Sequence, residues 1–321
     1  MLPNSNNRDK TPVEFSIVFV EASLLIEYSL ALDLGLFFQP PKSIKIVKEV
    51  LKVNDTLVYS RTDMLEIGNV NSLAGLLIDK FDNNTSWIFD LAKKNMIGNE
   101  LFLTNGFKAM FSPKLVGIMQ SWFSDKFNIN YKINLASLSS ITTARARRIE
   151  EIVDSLNLLN NHIRFEATSN NEMRLFSIIK DVTIFAEEIE SEGTLKFITL
   201  INMVLDAVDN GSTLVIDEFD TSLDIASLLS VVTVFHNDEI NTKGAQLFFC
   251  THNPIFFNHN LLRRDEIKFV DRDDKTKSSI LYSLSDFESS EVRKDPNYMT
   301  DYLMDKYGAL RDVDLTAAFI K

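Results

Sequence analysis

At 321 residues with 45% hydrophobic and 24% charged content, the chain is long enough for two or three packed subdomains around a well-buried core. The formal charge of −12 argues against broad nonspecific contact with nucleic acid and leaves only a local basic groove or an indirect route through a partner. A single cysteine, Cys250, excludes an intrachain disulfide and a cysteine cluster for zinc, which fits a reducing cytoplasm.

The N-terminus "MLPNSNNRDKTP" is polar where a signal peptide would turn apolar. The most apolar stretch, Phe15 to Phe38, is broken by Glu21, Glu27 and Asp33, so it falls short of the roughly 18 apolar residues a membrane span needs. Residues 13 to 39 instead read as two strands, "VEFSIVFV" and "LLIEYSLAL", joined by a tight turn at Glu21-Ala22-Ser23. "PKSIKIVKEVLKVNDTLVYSR" adds one or two short strands. Helical spacing of apolar residues follows in "SLAGLLIDKF", "TSWIFDLAKKN" and "PKLVGIMQSWFSDKF", and residues 65 to 180 are expected to be mostly helical. Within them "TARARRIEEIVDSLNLLN" places Ile149, Ile152, Val153 and Leu156 on one face, with Arg145, Arg147 and Arg148 near its start. Such a basic helix start is usually a solvated face, with phosphate contact as the alternative.

From Gly193 onward helices alternate with strands: "LKFITLINMVLDAV", "TLVIDEF", "IASLLSVVTVFHN", "AQLFFCTHN". That alternation predicts a parallel sheet covered on its faces. Two strands, "EIKFVDRD" and "SILYSLSDF", and a helix in "NYMTDYLMDKYG" complete the chain.

The chemistry concentrates in "STLVIDEFDTSLD". An apolar strand there delivers Asp217 and Glu218 to its C-terminal end, where open parallel sheets bind ligands. In a P-loop ATPase the first acid holds Mg²⁺ and the second polarises the attacking water; a surface strand cap is the plainer alternative. Asp224 follows in "SLD", His252 ends the next apolar strand, and Ser191 in "ESEGTLKF" opens a helix whose first amides would face an anion. Taken singly, "SEGT" could be an ordinary N-cap and His252 a core histidine; order and spacing argue for a set.

With these motifs the chain resembles the ABC-like, AAA-type ATPases of bacterial abortive-infection and phage-defence systems, related to the overcoming-lysogenisation-defect type. "DEFDTSLD" is similar to their Walker B and D-loop, "SEGT" to a shortened signature and "FFCTHN" to their switch histidine. "LLRRDEIKFVDRD", "LYSLSDF", "VRKDPNYMTDYLMDKYGAL" and, more loosely, "TPVEFSIVFV" extend the likeness over most of the chain. The resemblance implies an α/β fold with an ABC-type P-loop NTPase-like core and an inserted helical subdomain. It divides the chain into an N-terminal β-rich part of the core at residues 1–64, a helical arm at 65–190 leading to the signature, and the C-terminal core at 191–321.

It also implies ATP and Mg²⁺ as cofactors, with Asp217 on the metal, Glu218 and His252 catalytic, and Ser191, Gly193, Thr194 and Asp224 around the nucleotide. The implied action is nucleotide-dependent homo- or heterodimerisation through the ATP site, regulating a toxic effector subunit such as a nuclease. Asp224-Ile225 departs from the His-Pro of many relatives. A larger departure concerns the P-loop, Gly-x-x-x-x-Gly-Lys-Ser/Thr, whose glycine backbone wraps the phosphates and whose lysine neutralises them. None of the ten glycines lies five residues from another, and none directly precedes a lysine. Relatives carry the motif upstream of the strand "TPVEFSIVFV" resembles. A truncated gene or misplaced start is therefore the favoured expectation, ahead of a split protein or a P-loop-less pairing subunit without hydrolysis.

One other enzyme is readable. Asp271 and Asp273 in "KFVDRDD" form an Asp-x-Asp that a Toprim-like nuclease would place on Mg²⁺. A charged hairpin turn accounts for the same residues.

Overall fold

The computed structural model describes residues 11–35, 44–69, 72–73, 75–77, 87–130, 133, 135–156, 161–168, 170, 172–273, 275, 278–287, 297–310 and 319. They form two compact units, Met1–Ser124 and Asp125–Lys321.

The first unit is built on a five-stranded antiparallel meander of β1 (Val13–Glu21), β2 (Leu24–Asp33), β3 (Lys45–Val53), β4 (Thr56–Arg61) and β5 (Leu65–Ile67), paired in that order. Its two tight turns carry paired left-handed residues, Ala22 and Ser23 at φ 50 and 63, Asn54 and Asp55 at φ 47 and 62. Two successive positive-φ residues match the right-handed twist of the flanking strands. Helices α1 (Trp87–Lys94), α2 (Phe102–Asn105), α3 (Phe107–Met110) and α4 (Pro113–Ser121) follow. Of "SLAGLLIDKF", expected to be helical, the described residues between Ser72 and Leu77 lie in turns, and Leu77 bridges to Phe111; the rest of that stretch lies outside the described residues.

Glu49 on β3 is fully buried. Its carboxylate accepts from the hydroxyls of Tyr28 at 3.1 Å and Tyr59 at 2.9 Å, from Arg61 at 3.5 Å, and from the amides of Phe102 at 2.8 Å and Leu103 at 3.0 Å. The arginine reaches onward to the carbonyls of Glu100 and Ile97. A buried charge is tolerable only when so fully hydrogen-bonded, and this one ties three strands to the start of α2.

The second unit carries the candidate site residues read from the sequence. β6 (Phe127–Asn130), β10 (Thr213–Ile216) and β11 (Gln246–Phe249) form a parallel sheet in the order β11-β10-β6. Helix α5 (Thr143–Leu156) leads to an antiparallel sheet of β7 (His162–Ala167), β8 (Met173–Ile179) and β9 (Val182–Phe185). Helices outweigh strands among the described residues of 65–180, as expected, but the stretch is not purely helical: β5, β6, β7 and β8 lie within it. Ile163 and Phe165 alternate with His162, Arg164 and Glu166, the two-residue period of a half-buried strand.

After the single turn α6 (Ala186–Ile189) comes α7 (Glu192–Asn210), the central helix of this unit. One of its faces, with Leu200, Met203, Val204, Ala207 and Val208, packs against Leu214 and Ile216 of β10 and against Leu228, Val231 and Val232 of α8 (Ile225–His236). The other, with Phe197, Ile198, Ile201 and Leu205, packs on Ile149 and Val153 of α5 and on Ile163 and Phe165 of β7. A helix apolar on most of its circumference is a buried one. It ends at Gly211, left-handed at φ 61, the conformation that closes helices with least strain in glycine. The hairpin β12 (Lys268–Arg272) and β13 (Ser279–Ser283) and the helix α9 (Tyr298–Leu303) form where the sequence predicts them. No helix among the described residues is long and apolar enough to cross a membrane.

Candidate functional site

The site grows from the C-terminal edge of the parallel sheet. Ile216 of β10 pairs with Phe249 of β11, and the Cys250 amide still donates to the Ile216 carbonyl at 3.1 Å. The chain beyond β10 then turns sharply at Glu218, left-handed at φ 49, so that the Phe219 amide returns to the Cys250 carbonyl at 3.0 Å. Phe219, fully buried, anchors the turn in the core. A non-glycine residue in this conformation carries strain that surrounding structure must hold.

The consequence is that Asp217 and Glu218 both stand exposed at the sheet edge. Asp217 Oδ1 accepts the Glu218 amide at 3.0 Å, which fixes that carboxylate, while the Glu218 carboxylate has no hydrogen-bond or ion-pair partner among the described residues. Burial, and next the charge and hydrogen bond of Asp217, push the Cys250 thiol upward from its ordinary pKa, so it faces the carboxylate as a neutral donor. His252, two residues beyond on the adjacent strand's extension, is exposed and likewise unengaged.

Asp217 offers the hard carboxylate oxygens that Mg²⁺ takes. No group of three or more metal-ligating side chains occurs among the described residues. One or two carboxylates are what Mg²⁺ uses when phosphates and water complete its shell, so the donor set fits a nucleotide-borne metal and not a closed protein cage.

Ser191 is the N-cap of α7. Its hydroxyl oxygen accepts the Thr194 amide at 3.1 Å and lies 3.0 Å from the Thr194 hydroxyl. Gly193 has a packing task besides the one its motif suggests: a Cβ there would lie 2.4 Å from the Ser222 carbonyl oxygen. Ser222 is itself left-handed at φ 65, and the Lys196 ammonium, paired with Glu192 at 2.9 Å, donates to its hydroxyl at 3.3 Å. The start of α7 and the loop from Glu218 to Asp224 are therefore one packed assembly. Asp224 caps α8, accepting the Ser227 amide at 3.0 Å and the Ser227 hydroxyl. These bonds, the Ser227 hydroxyl foremost, hold its carboxyl below the usual range.

Two other groups are accounted for structurally. Arg145 and Arg148 both engage Asp209 near the end of α7, at 3.0 and 2.8 Å. Asp273 accepts the Lys275 amide at 3.0 Å in the β12–β13 turn, the hairpin role weighed against a nuclease site.

Residues 5–258 match the model of a family described as "AAA domain, putative AbiEii toxin, Type IV TA system". No curated protein matches the chain.

Proposed function

The chain belongs to this AAA-domain family of abortive-infection type, and from that membership we propose that it is one half of a nucleotide-driven clamp, supplying the Walker B carboxylates and the signature helix start. The family's fold is the P-loop NTPase-like α/β class, and its members in general use ATP and Mg²⁺. In the proposed cycle Asp217 holds the Mg²⁺ of MgATP and Glu218 polarises the water that attacks the γ-phosphate, with His252 beside that phosphate. Ser191, Gly193 and Thr194 present the first amides of α7 to a nucleotide bound by a second chain. Asp224, by capping α8, and Ser222, by touching Gly193, join the two half-sites within one chain.

The carrying observation is the strained turn at Glu218. It leaves one carboxylate fixed and the next unengaged at the C-terminal edge of a parallel sheet, one strand from His252.

A second observation concerns the phosphate cradle. Val215 pairs in register with both Ile129 and Phe248, and of this apolar row Ile129 is 43% and Phe248 58% exposed. Parallel sheets are covered on both faces, and β11 has a free edge among the described residues. A strand, P-loop and helix fit there: the strand on the edge of β11, the helix over the row, the loop beside Asp217 and His252. The 321 residues contain no such motif, so the cradle comes from other residues, in the same polypeptide or another.

The missing motif favours a second reading, a pairing subunit that completes another chain's site without hydrolysing ATP. Gel filtration of the chain mixed with a P-loop-bearing relative tests the shared premise. The expected result is an ATP-dependent heterodimer lost in Ser191→Arg, and association indifferent to ATP and to that substitution overturns it. Steady-state phosphate release by the mixture separates the two readings.

A further inference from the structure

Away from the sheet edge, the second unit has a groove of about 580 Å³ between the turn at Leu135–Ser140, the first half of β8 and the start of α7. We propose that this groove takes an extended segment of a partner protein in which apolar residues alternate with lysine or arginine. The inference does not rest on the nucleotide reading.

The backbone sets the extended form. β9 pairs with β8 only from Phe176↔Phe185 to Ile179↔Val182, so Met173, Arg174 and Leu175 continue β8 past the end of its third strand, along the groove wall. A segment entering in line with β9 would add the missing length of that strand, the main-chain mode by which sheets capture peptides.

The side chains set the alternation. Leu138, Met173, Leu175 and Leu195 line the groove with apolar surface, while Glu172, Glu187 and Glu188 stand exposed around it. None of these three carboxylates has an ion-pair partner among the described residues. Among the described residues Arg174 is the one lining cation, and it sits over the ring of Phe185 at 5.5 Å, where the quadrupole of the ring holds it. Counted over the described lining residues, the opening is acidic by two, three carboxylates against one guanidinium. An extended segment sends alternate side chains to opposite sides, so one set meets the leucines and the other the carboxylates. Three further apolar side chains are exposed nearby, Val182 at 56% and Phe185 at 40% at the two ends of β9 and Ile189 at 44% at the end of α6.

Fluorescence anisotropy with a short labelled peptide alternating leucine with lysine and arginine tests this. A block-scrambled peptide of the same composition and an acidic analogue serve as comparators. The alternating peptide is expected to bind saturably. Binding should fall about tenfold in Glu187→Lys/Glu188→Lys and, more modestly, in Glu172→Lys, exposed positions where circular dichroism should show the fold intact. Equal binding of the scrambled peptide, or binding unmoved by charge reversal, overturns the proposal in favour of general attraction to an acidic protein. Self-association of the chain that disappears in Glu187→Lys/Glu188→Lys also overturns it, making a second copy the occupant.

Discussion

Gly193 and Ser222 approach so closely that the glycine's missing side chain is what admits the serine's carbonyl, which a Cβ would meet at 2.4 Å. The start of α7 and the loop after β10 are distant in sequence and cannot shift independently. Gly193→Ala is expected to destabilise the chain by about 1–3 kcal/mol through this overpacking, although alanine is the better helix former. A urea midpoint at or above the parental one would show that the loop yields freely and that the two segments are uncoupled.

Glu218 separates stability from chemistry. Its left-handed backbone predicts that Glu218→Gly raises stability by about 0.5–1 kcal/mol, and that Glu218→Gln, unchanged in strain, leaves it within about 0.5 kcal/mol. In an assembly that carries a P-loop, Glu218→Gln should slow phosphate release by roughly 10²- to 10⁴-fold. Parental turnover in that variant would remove Glu218 from the role of base.

The hub at Glu49 should dominate the stability of the first unit. Glu49→Ala strands the buried Arg61 and frees two tyrosine hydroxyls and two amides, at a cost of about 3–5 kcal/mol. Glu27→Ala breaks the ion pair with Lys52 at 3.3 Å, whose side chains are 28% and 44% exposed, and should cost about 1 kcal/mol or less. Chemical denaturation of both variants checks the contrast; equal losses would mean that the hub contributes no more than a surface pair.

Alkali should unfold the chain earlier than ordinary tyrosines would. Burial, reinforced by Glu49, raises Tyr28 and Tyr59 above the usual phenol range, and burial beside Asp301 pushes Tyr307 up to about 12. Each folded value lies above its unfolded one, so the native state keeps protons that the unfolded state gives up. The stability these groups confer is complete below about pH 10 and is lost as pH rises from there through the folded values. Melting temperature followed with tyrosinate absorbance should show ionisation and unfolding together; ionisation of all tyrosines near pH 10 in a folded chain would contradict the burial.

The sequence was most informative where pattern and period coincide. β10, β11, α7 and α8 read directly from alternating apolar runs, and Asp217, Glu218 and His252 from their place at strand ends. β6 was not legible: "FNIN" has four residues and no apolar run, and only its parallel pairing with β10 makes it a strand. The antiparallel sheet around β8 was legible in the alternation at Ile163 and Phe165 but was hidden by the strongly helical α5 before it. The role of Gly193 was beyond any local signal, because the atom that forbids a side chain belongs to Ser222. Glu49, an acid inside a strand of mixed polarity, carried no mark of its five hydrogen bonds, which come from three other segments, β2, β4 and α2.

The exposed row of Ile129, Val215 and Phe248 also bears on the life of the chain in a cell. Aromatic and branched side chains on an unfinished sheet are what chaperones hold and proteases sample. A copy whose sheet stays uncovered is a substrate for quality control, and one whose sheet is covered escapes it. With the proposed strand and helix as that cover, abundance would follow assembly without any dedicated regulator: surplus copies would be cleared, and the amount that persists would be set by the scarcer partner.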